Sequence, residues 1–150
     1  MGAVFTRPPR SCHLGWYRQL RNRFRAGSPT QHKGSYWEKR ADSFLRRNGL
    51  NTLERNFNCR SGEIDLVMDD GESIVFVEVR FRNNIGYGSG AETVTRQKQA
   101  RLTRAAQYFL CKNPRLSQMP CRFDVISIAE DKGGQDVNWI RNAFDTNTGS

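Results

Sequence analysis

Apolar and polar residues alternate in the middle of the chain in a way that predicts two neighbouring β-strands. Residues 62–82 contain two runs rich in Ile, Leu, Val and Phe, and these runs flank the sequence DDGE at 69–72. An Asp-Gly pair between two such runs is a strong signal for a tight hairpin. We therefore predict an antiparallel hairpin whose two-residue loop is Asp70-Gly71.

This loop sets the pairing register and hence the face on which each side chain lies. Glu63 lies opposite Glu78, and Asp65 lies opposite Phe76. Because side chains alternate between the two faces of a strand, these four residues and Arg80 share one face. The other face is apolar and is predicted to point into the core; it carries Ile64, Leu66, Met68, Val75, Val77, Val79 and Phe81.

A helix is predicted before the hairpin, from Ser35 to about Asn48. Ser35 and Glu38 have the spacing of a capping box, and Gly49 occupies the position that follows a helix end. In that box the Glu38 carboxylate reaches back to the Ser35 amide, which is a sufficient local reason for a glutamate there. The apolar stripe of this helix consists of Trp37, Ala41, Phe44 and Leu45.

A second helix is predicted from Thr93 or Thr95 to Lys112, where Asn113-Pro114 ends it. Its buried stripe consists of Leu102, Ala105, Ala106 and Phe109. Lys98 lies one turn before Leu102 on this stripe. Its stem can pack on the sheet while its ammonium extends to an edge, and the carboxylates of the hairpin could lie at that edge.

Another face of the second helix carries polar residues at helical spacing, namely Gln97, Arg101, Arg104 and Tyr108. Basic residues interleaved with a tyrosine suit contact with a nucleic-acid backbone. An ordinary solvated helix face explains the same pattern equally well.

Further strands are predicted at 51–59, 121–129 and 137–144, and Asp124 is expected to pair with Arg122 on the second of these. A glycine-rich stretch at 83–90 is either a plain connection or a loop that clamps a phosphate backbone. The order of helix, three strands, helix and strand predicts an α/β sandwich around a mixed sheet.

Charge divides the chain into regions. Residues 1–33 hold seven of the 24 Lys and Arg and none of the 15 acidic residues, so they carry seven of the nine net positive charges. We predict a basic, disordered arm at 1–33, one domain at 34–144 and a tail at 145–150. Aromatic residues in the arm leave two alternatives open, a membrane-surface helix or an arm that binds nucleic acid.

The absence of certain residue types from the predicted domain excludes several kinds of catalysis and metal binding. Both histidines, His13 and His32, lie in the arm, which excludes Ser-His and Cys-His catalysis and His-ligated metals from the domain. The four cysteines form no C-x-x-C pair, and we expect reduced thiols in a cytoplasmic protein. No apolar run approaches the ~20 residues that a membrane span requires.

Carboxylates are therefore the best candidates for chemistry. Glu63, Asp65 and Glu78 share the predicted polar face with Arg80. Clustered carboxylates raise one another's pKa, and a bound cation relieves their repulsion. Oxygen ligands of this kind favour Mg²⁺ or Mn²⁺. The alternative is a solvated sheet face on which Glu and Arg pair across the strands.

The chain contains three short motifs, GEIDLV at 62–67, FVEVRFR at 76–82 and RFDV at 122–125. These motifs resemble those of the YraN family of small nuclease-like proteins. An acidic residue on one strand followed by Glu-x-basic on the next also resembles the wider PD-(D/E)XK nuclease superfamily. The resemblance extends from about Gly34 to Phe144. It implies a restriction-endonuclease-like αβββαβ core and metal-dependent hydrolysis of phosphodiester bonds in DNA or RNA.

The same resemblance implies roles for individual residues. Asp65 and Glu78 would hold Mg²⁺, and Glu38 matches an acidic residue of the first helix that often joins the metal site. Glu63 receives no role from the resemblance and is treated as a residue that lies behind the site.

Arg80 departs from the superfamily pattern, which usually has lysine at this position. Arginine can orient water and stabilise negative charge, but it cannot lose a proton at accessible pH. Either the reaction needs no base, or Lys98 supplies the missing ammonium, or catalysis is weak or lost. The alternative function is a catalytically inactive nucleic-acid-binding module of the same fold.

Overall fold

The computed structural model describes residues 29–82, 94–131 and 134–145. Most of the basic arm, the glycine-rich loop at 83–90 and the tail after Asp145 lie outside these ranges, so the expectations for those segments stay predictions.

Two helices and five strands make up the described part of the chain. They are α1 (Pro29–Arg47), β1 (Asn51–Cys59), β2 (Gly62–Asp69), β3 (Ile74–Arg82), α2 (Arg96–Lys112), β4 (Cys121–Asp131) and β5 (Gly134–Phe144). The five strands form one sheet in the order β1-β2-β3-β4-β5. Only β3 and β4 pair in parallel, with α2 as the crossover between them. The predicted mixed α/β architecture with an αβββαβ core is therefore confirmed.

Each helix covers one face of the sheet. On the α1 side, Trp37, Ala41 and Leu45 pack against strand residues of β2, β3 and β4, including Val75 and Ile126. On the α2 side, a second core joins Leu102, Ala105, Ala106, Phe109 and Leu110 to Phe57, Val67, Ile74, Phe76, Phe123 and Val125. The central strands are therefore buried on both faces, and the polar residues of β3 lie where α2 begins.

The hairpin between β2 and β3 has a longer loop than predicted. Asp69 pairs with Ile74 and Leu66 with Val77, so four residues separate the strands and the predicted pairs Glu63–Glu78 and Asp65–Phe76 are wrong. Two aspartates stabilise this longer loop. Asp69 Oδ1, at the end of β2, accepts from the Gly71 amide at 2.7 Å. Asp70 Oδ1 accepts from the amides of Glu72 at 3.0 Å and Ser73 at 2.7 Å. The register shifts by two residues, which preserves the facing of the β3 side chains relative to the stretch of β2 that pairs with them, Leu66 to Asp69.

Strand β2 reverses its facing at Asp65. The β2–β3 pairs end at Leu66–Val77, and before that point β2 continues to pair with β1 through Phe57–Ile64. Ile64 packs in the α2-side core, whereas Leu66 packs in the α1-side core. Residues two apart on a regular strand share a face. The prediction that Ile64 shares the face of Leu66 is therefore wrong.

Helix α1 starts earlier than predicted. It begins at Pro29, so Ser35 lies inside the helix and the capping box is a wrong prediction. Proline is well tolerated in a first helical turn because the missing N–H would have no partner there. The end agrees with the prediction: α1 stops at Arg47, and Gly49 has a positive φ of 94°. Glu38 is therefore not engaged in a helix cap.

Helix α2 and the outer strands follow the sequence closely. Thr95 caps α2 by accepting from the Lys98 amide at 3.3 Å, and Asn113 ends the helix. Strand β5 begins three residues before the predicted start at Val137. Within the described ranges, neither helix is long and apolar enough to cross a membrane. In the part of the chain that the structure describes, Cys59, Cys111 and Cys121 form no disulfide.

Candidate active site

Asp65 lies at the point where β2 separates from β3. Its Oδ2 accepts a hydrogen bond from the backbone N–H of Val79 at 2.7 Å, so the carboxylate bridges the two strands where their regular pairing has ended. Burial, and after it the negative charge of Glu78, raise the pKa of Asp65 from its ordinary 3.8 to about 7. The Val79 N–H opposes this rise but does not cancel it.

Glu78 is the second carboxylate of this cluster, and it is buried. Lys98 Nζ lies 2.9 Å from Glu78 Oε1. The Glu78 side chain is 10% exposed, whereas that of Lys98 is 38% exposed, so the ammonium lies between the buried carboxylate and solvent. The backbone amide of Lys98 donates to the side chain of Thr95, the N-cap of α2, which holds the start of this helix beside the cluster. The predicted approach of Lys98 to the carboxylates is confirmed.

Glu38 adds a third carboxylate from the opposite face of the sheet. Its charge contributes to the raised pKa of Asp65, after burial and Glu78. The neighbouring Trp37 anchors this part of α1, because its ring stacks on Phe81 of β3 with centroids 4.1 Å apart. Sequence reasoning placed Trp37 in the core but missed this contact, which requires the helix and the strand end to be packed together.

The cluster fits the donor requirements of magnesium. Within residues 29–82, 94–131 and 134–145, no three His, Cys, Asp or Glu side chains are arranged to hold a metal by themselves. Mg²⁺ does not need such a cage, because it usually keeps several waters and binds one or two carboxylates together with substrate phosphates. Asp65 and Glu78 supply two carboxylates of this kind, and the charge of Glu38 acts on the same place.

The other predicted site residues lie around this cluster. Arg80 follows Glu78 by two residues on β3, pairs in register with Ser127 and is half-buried. Glu63 is exposed and pairs with Asn58 of β1, away from Glu78. Gln97, Arg101 and Arg104 are exposed on α2, as predicted.

Tyr108, the fourth residue of the predicted α2 face, is engaged on both sides. Its ring lies 6.3 Å from that of Phe57, and Lys112 Nζ lies 5.0 Å from its centroid. It remains 37% exposed. Tyr108 therefore presents an edge to solvent and serves partly as a packing residue.

A buried polar network holds the hairpin loop and β4 together. Asp124 accepts from Arg122 Nε at 3.0 Å, from Trp139 Nε1 at 3.0 Å and from the Asn142 amide at 2.9 Å. Arg122 also donates to Asp70 in the hairpin loop. The expectation that Asp124 pairs with Arg122 is confirmed. Its contacts to Trp139 and Asn142 could not be expected from spacing, because they depend on an irregular β4–β5 pairing.

The fold and the site define a class of α/β protein: a restriction-endonuclease-like core with a carboxylate–lysine cluster at the diverging strands. The model of the uncharacterised protein family UPF0102 matches residues 37–128, a range that contains Glu38, Asp65, Glu78 and Lys98. The chain therefore belongs to the UPF0102 (YraN) family, as its three motifs predicted.

Relatives from several bacteria share most of the chain. A UPF0102 protein of Stutzerimonas stutzeri is 48% identical over 79% of this chain and 99% of its own length. One of Nitrosomonas eutropha is 48% identical over 79% of this chain and 97% of its own length. A UPF0102 protein of Vibrio cholerae is 47% identical over 77% of this chain and 93% of its own length. The family name assigns no activity.

The pKa of Asp65 predicts an unusual pH dependence of stability. Because this pKa is about 7 in the folded protein and 3.8 ordinarily, the folded state binds more protons between these values. The resulting stability is fully present below about pH 4 and is lost as pH rises through about 7. In EDTA, the free energy of unfolding of the wild type should fall with rising pH relative to Asp65→Asn, by up to about 4 kcal/mol.

Urea unfolding of both proteins between about pH 4 and pH 8 measures this difference, because all other titrating groups are common to the two chains. Parallel stability curves for wild type and Asp65→Asn would show that Asp65 ionises normally.

Proposed function

We propose that the protein is a metal-dependent nuclease that hydrolyses phosphodiester bonds of DNA or RNA in the cytoplasm. The observation that carries this proposal is the cluster of Asp65 and Glu78 where β2 and β3 diverge: the charge of Glu78 raises the pKa of Asp65, and Lys98 Nζ lies 2.9 Å from Glu78 Oε1. Two carboxylates that repel one another in a partly dry site gain most from a divalent cation. The ammonium beside them suits a substrate with a negatively charged phosphate.

The residues divide the work as follows. Asp65 and Glu78 would hold Mg²⁺ or Mn²⁺, with Glu38 joining directly or through water. When bound, the metal would lower the pKa of a water molecule and neutralise charge on the phosphate. The Val79 N–H fixes the orientation of the Asp65 carboxylate. Glu78 holds Lys98 in place, and the Lys98 ammonium orients the attacking water and stabilises charge on the phosphate oxygens.

Arg80 has a narrower role than the lysine usual at its position. A guanidinium keeps its proton at all accessible pH values, so Arg80 can stabilise negative charge but cannot take a proton from water. Lys98 belongs to a different element from Arg80 and reaches Glu78 directly. We therefore assign to Lys98 the role that the lysine usually found at position 80 would have.

The surface beside the cluster supports a nucleic-acid partner. Helix α2 carries five cationic residues and no Asp or Glu; the cations are Arg96, Lys98, Arg101, Arg104 and Lys112. Lys98 faces the carboxylate cluster, whereas Arg101 and Arg104 are exposed further along the helix. A cationic helix that starts at the reactive centre is suited to guide a phosphate backbone toward it.

A substrate panel tests the proposed function. Purified protein is incubated with Mg²⁺, with Mn²⁺ or with EDTA, and with labelled single-stranded, duplex, flap and junction substrates of DNA and of RNA. We expect cleavage of at least one substrate with metal and none with EDTA. Binding without cleavage under every condition would contradict the proposal and favour a catalytically inactive nucleic-acid-binding module.

Lys98 offers a separate prediction. Lys98→Met should lower the cleavage rate by about 100-fold, because the charge that holds water and phosphate is lost. Lys98→Arg should recover part of the rate, since it restores the charge but not the compact ammonium. Both variants should still bind Mn²⁺, as measured by calorimetry.

Arg115→Met is the matched control, because it removes an exposed cation beyond the far end of α2. Equal rates for Lys98→Met and Arg115→Met would contradict the role assigned to Lys98.

A further inference from the structure

A second basic feature lies where the β1–β2 turn meets the outer side of α2. An open pocket of about 540 Å³ lies there, and the described residues that line it are Cys59, Arg60, Ser61, Gly62, Arg101 and Arg104. Arg60 and Ser61 form the turn between the two strands, while Arg101 and Arg104 come from adjacent turns of the helix. Sequence reasoning singled out the two helix residues but gave no reason to include Arg60.

Close packing of strand and helix builds this pocket. A Cβ atom added at Gly62 would lie 3.5 Å from both the Cβ and the carbonyl oxygen of Arg101, so the start of β2 is in near contact with the helix. Gly62 has a φ of 152°, a conformation that L side chains rarely adopt. The turn therefore brings Arg60 beside Arg101 and Arg104, which are three residues apart on one face of α2.

The described lining of the pocket is basic. Three of its six lining residues are arginines and none is acidic. A comparable surface pocket between α1 and β1 has two arginines, Arg46 and Arg55, but also Glu54 in its wall, and Arg55 is paired with Asp42 at 2.8 Å. Guanidinium groups bind phosphate through parallel N–H donors, so a lining with three arginines and no acidic residue suits a phosphate group.

The pocket is linked to the carboxylate cluster by two elements. Three residues of β2 lead from Gly62 to Asp65, a distance of about 10 Å along an extended strand. Three residues of α2 lead from Lys98, which contacts Glu78, to Arg101. A nucleic-acid strand that follows this side of the molecule would reach both places.

We propose that Arg60, Arg101 and Arg104 bind a backbone phosphate of a nucleic-acid strand whose neighbouring phosphodiester lies at Asp65 and Glu78. This inference rests on the proposed function and adds a phosphate site outside the reactive centre. The ligand chemistry is the phosphodiester backbone that DNA and RNA share, so the contact positions the strand without reading its sequence.

The test is metal-free binding over a range of salt concentrations. Fluorescence anisotropy in EDTA gives the affinity of the full-length protein for a labelled single-stranded DNA and for an RNA of the same sequence. For single strands, log K falls with log salt by about 0.7 per phosphate contact. The Arg60→Gln, Arg101→Gln, Arg104→Gln variant should therefore show a slope smaller by about 0.7 than the wild type, the contribution of one phosphate.

The matched control is Arg46→Gln, Arg47→Gln, Arg115→Gln, which removes three exposed arginines elsewhere. Its slope should change by less than half as much, and circular dichroism checks that both variants fold. Equal slopes for the two variants, or no binding of either nucleic acid by the wild type, would contradict the proposal that this pocket binds a phosphate. A difference seen only with DNA, or only with RNA, identifies the strand that it binds.

This outcome is independent of catalysis. If the triple arginine variant shows a reduced slope but the wild type cleaves no substrate with any metal, the phosphate site is supported and the proposed nuclease activity is contradicted. If the wild type cleaves but the triple arginine variant has the same slope as the wild type, the phosphate site is contradicted and the proposed nuclease activity is supported.

Discussion

Replacing Asp65 by Asn is expected to reduce metal-dependent cleavage by about 10²–10³-fold. The substitution keeps the shape of the side chain and an oxygen that can accept from Val79, but it removes the negative charge at the point where β2 and β3 separate. Glu78→Gln should cause a loss of similar size and also release Lys98 from its ion pair. Single-turnover cleavage in Mg²⁺ measures both effects.

Glu63→Gln is the control for this prediction. Glu63 lies two residues before Asp65 on the same strand, but it is exposed and pairs with Asn58 of β1. Its substitution should leave the rate within about twofold of wild type. Cleavage that persists at the wild-type rate in Asp65→Asn and Glu78→Gln would show that the activity does not arise at this cluster.

Asp124→Ala is expected to lower the free energy of unfolding by about 3–5 kcal/mol. The Asp124 side chain is fully buried and accepts from Arg122, Trp139 and Asn142. Alanine would remove one of the two carboxylates that contact the partly buried guanidinium of Arg122, and the Trp139 N–H would lose this acceptor. Urea unfolding at neutral pH measures the loss.

Asp136→Ala provides the comparison for this second prediction, because Asp136 is an exposed aspartate of β5. Its free energy of unfolding should stay within about 0.5 kcal/mol of wild type. Similar values for Asp124→Ala and Asp136→Ala would show that the buried network contributes little to stability.

The fold could be predicted from the sequence because its main signals are local. The alternation of apolar residues located β2 and β3, and the stripe around Leu102 and Phe109 located α2. The error in the predicted hairpin loop did not change the predicted faces of the β3 side chains, since a register shift of two residues leaves each side chain on the same face. The error arose because side-chain hydrogen bonds from Asp69 and Asp70 select a four-residue loop, and these compete with the signal of the Asp-Gly pair.

The candidate site was only partly predictable. Asp65, Glu78 and Lys98 were expected together, and the contact between Lys98 and Glu78 is observed. The reversal of β2 between Ile64 and Leu66 left no signal in the sequence, because it depends on how β2 leaves β3 while remaining paired to β1. Arg60 was missed for a similar reason: a turn residue reaches a helix only once the strand it precedes has packed there.

Glu38 shows how a local motif can mislead. Its spacing from Ser35 matches a capping box, yet α1 begins at Pro29 and needs no cap at Ser35. The local explanation for this glutamate is thereby removed, and its charge acts on Asp65 instead. The metal role that the family resemblance implies for Glu38 remains a proposal.

Isothermal titration with Mn²⁺ tests most directly whether Asp65 and Glu78 form a metal site. It is carried out at about pH 8, where Asp65 is ionised, on wild type, Asp65→Asn and Glu63→Gln. We expect binding heat from wild type and from Glu63→Gln, and none from Asp65→Asn. Absence of heat from the wild type, or equal heat from Asp65→Asn, would contradict the metal site and leave these carboxylates as an ordinary charged part of the sheet.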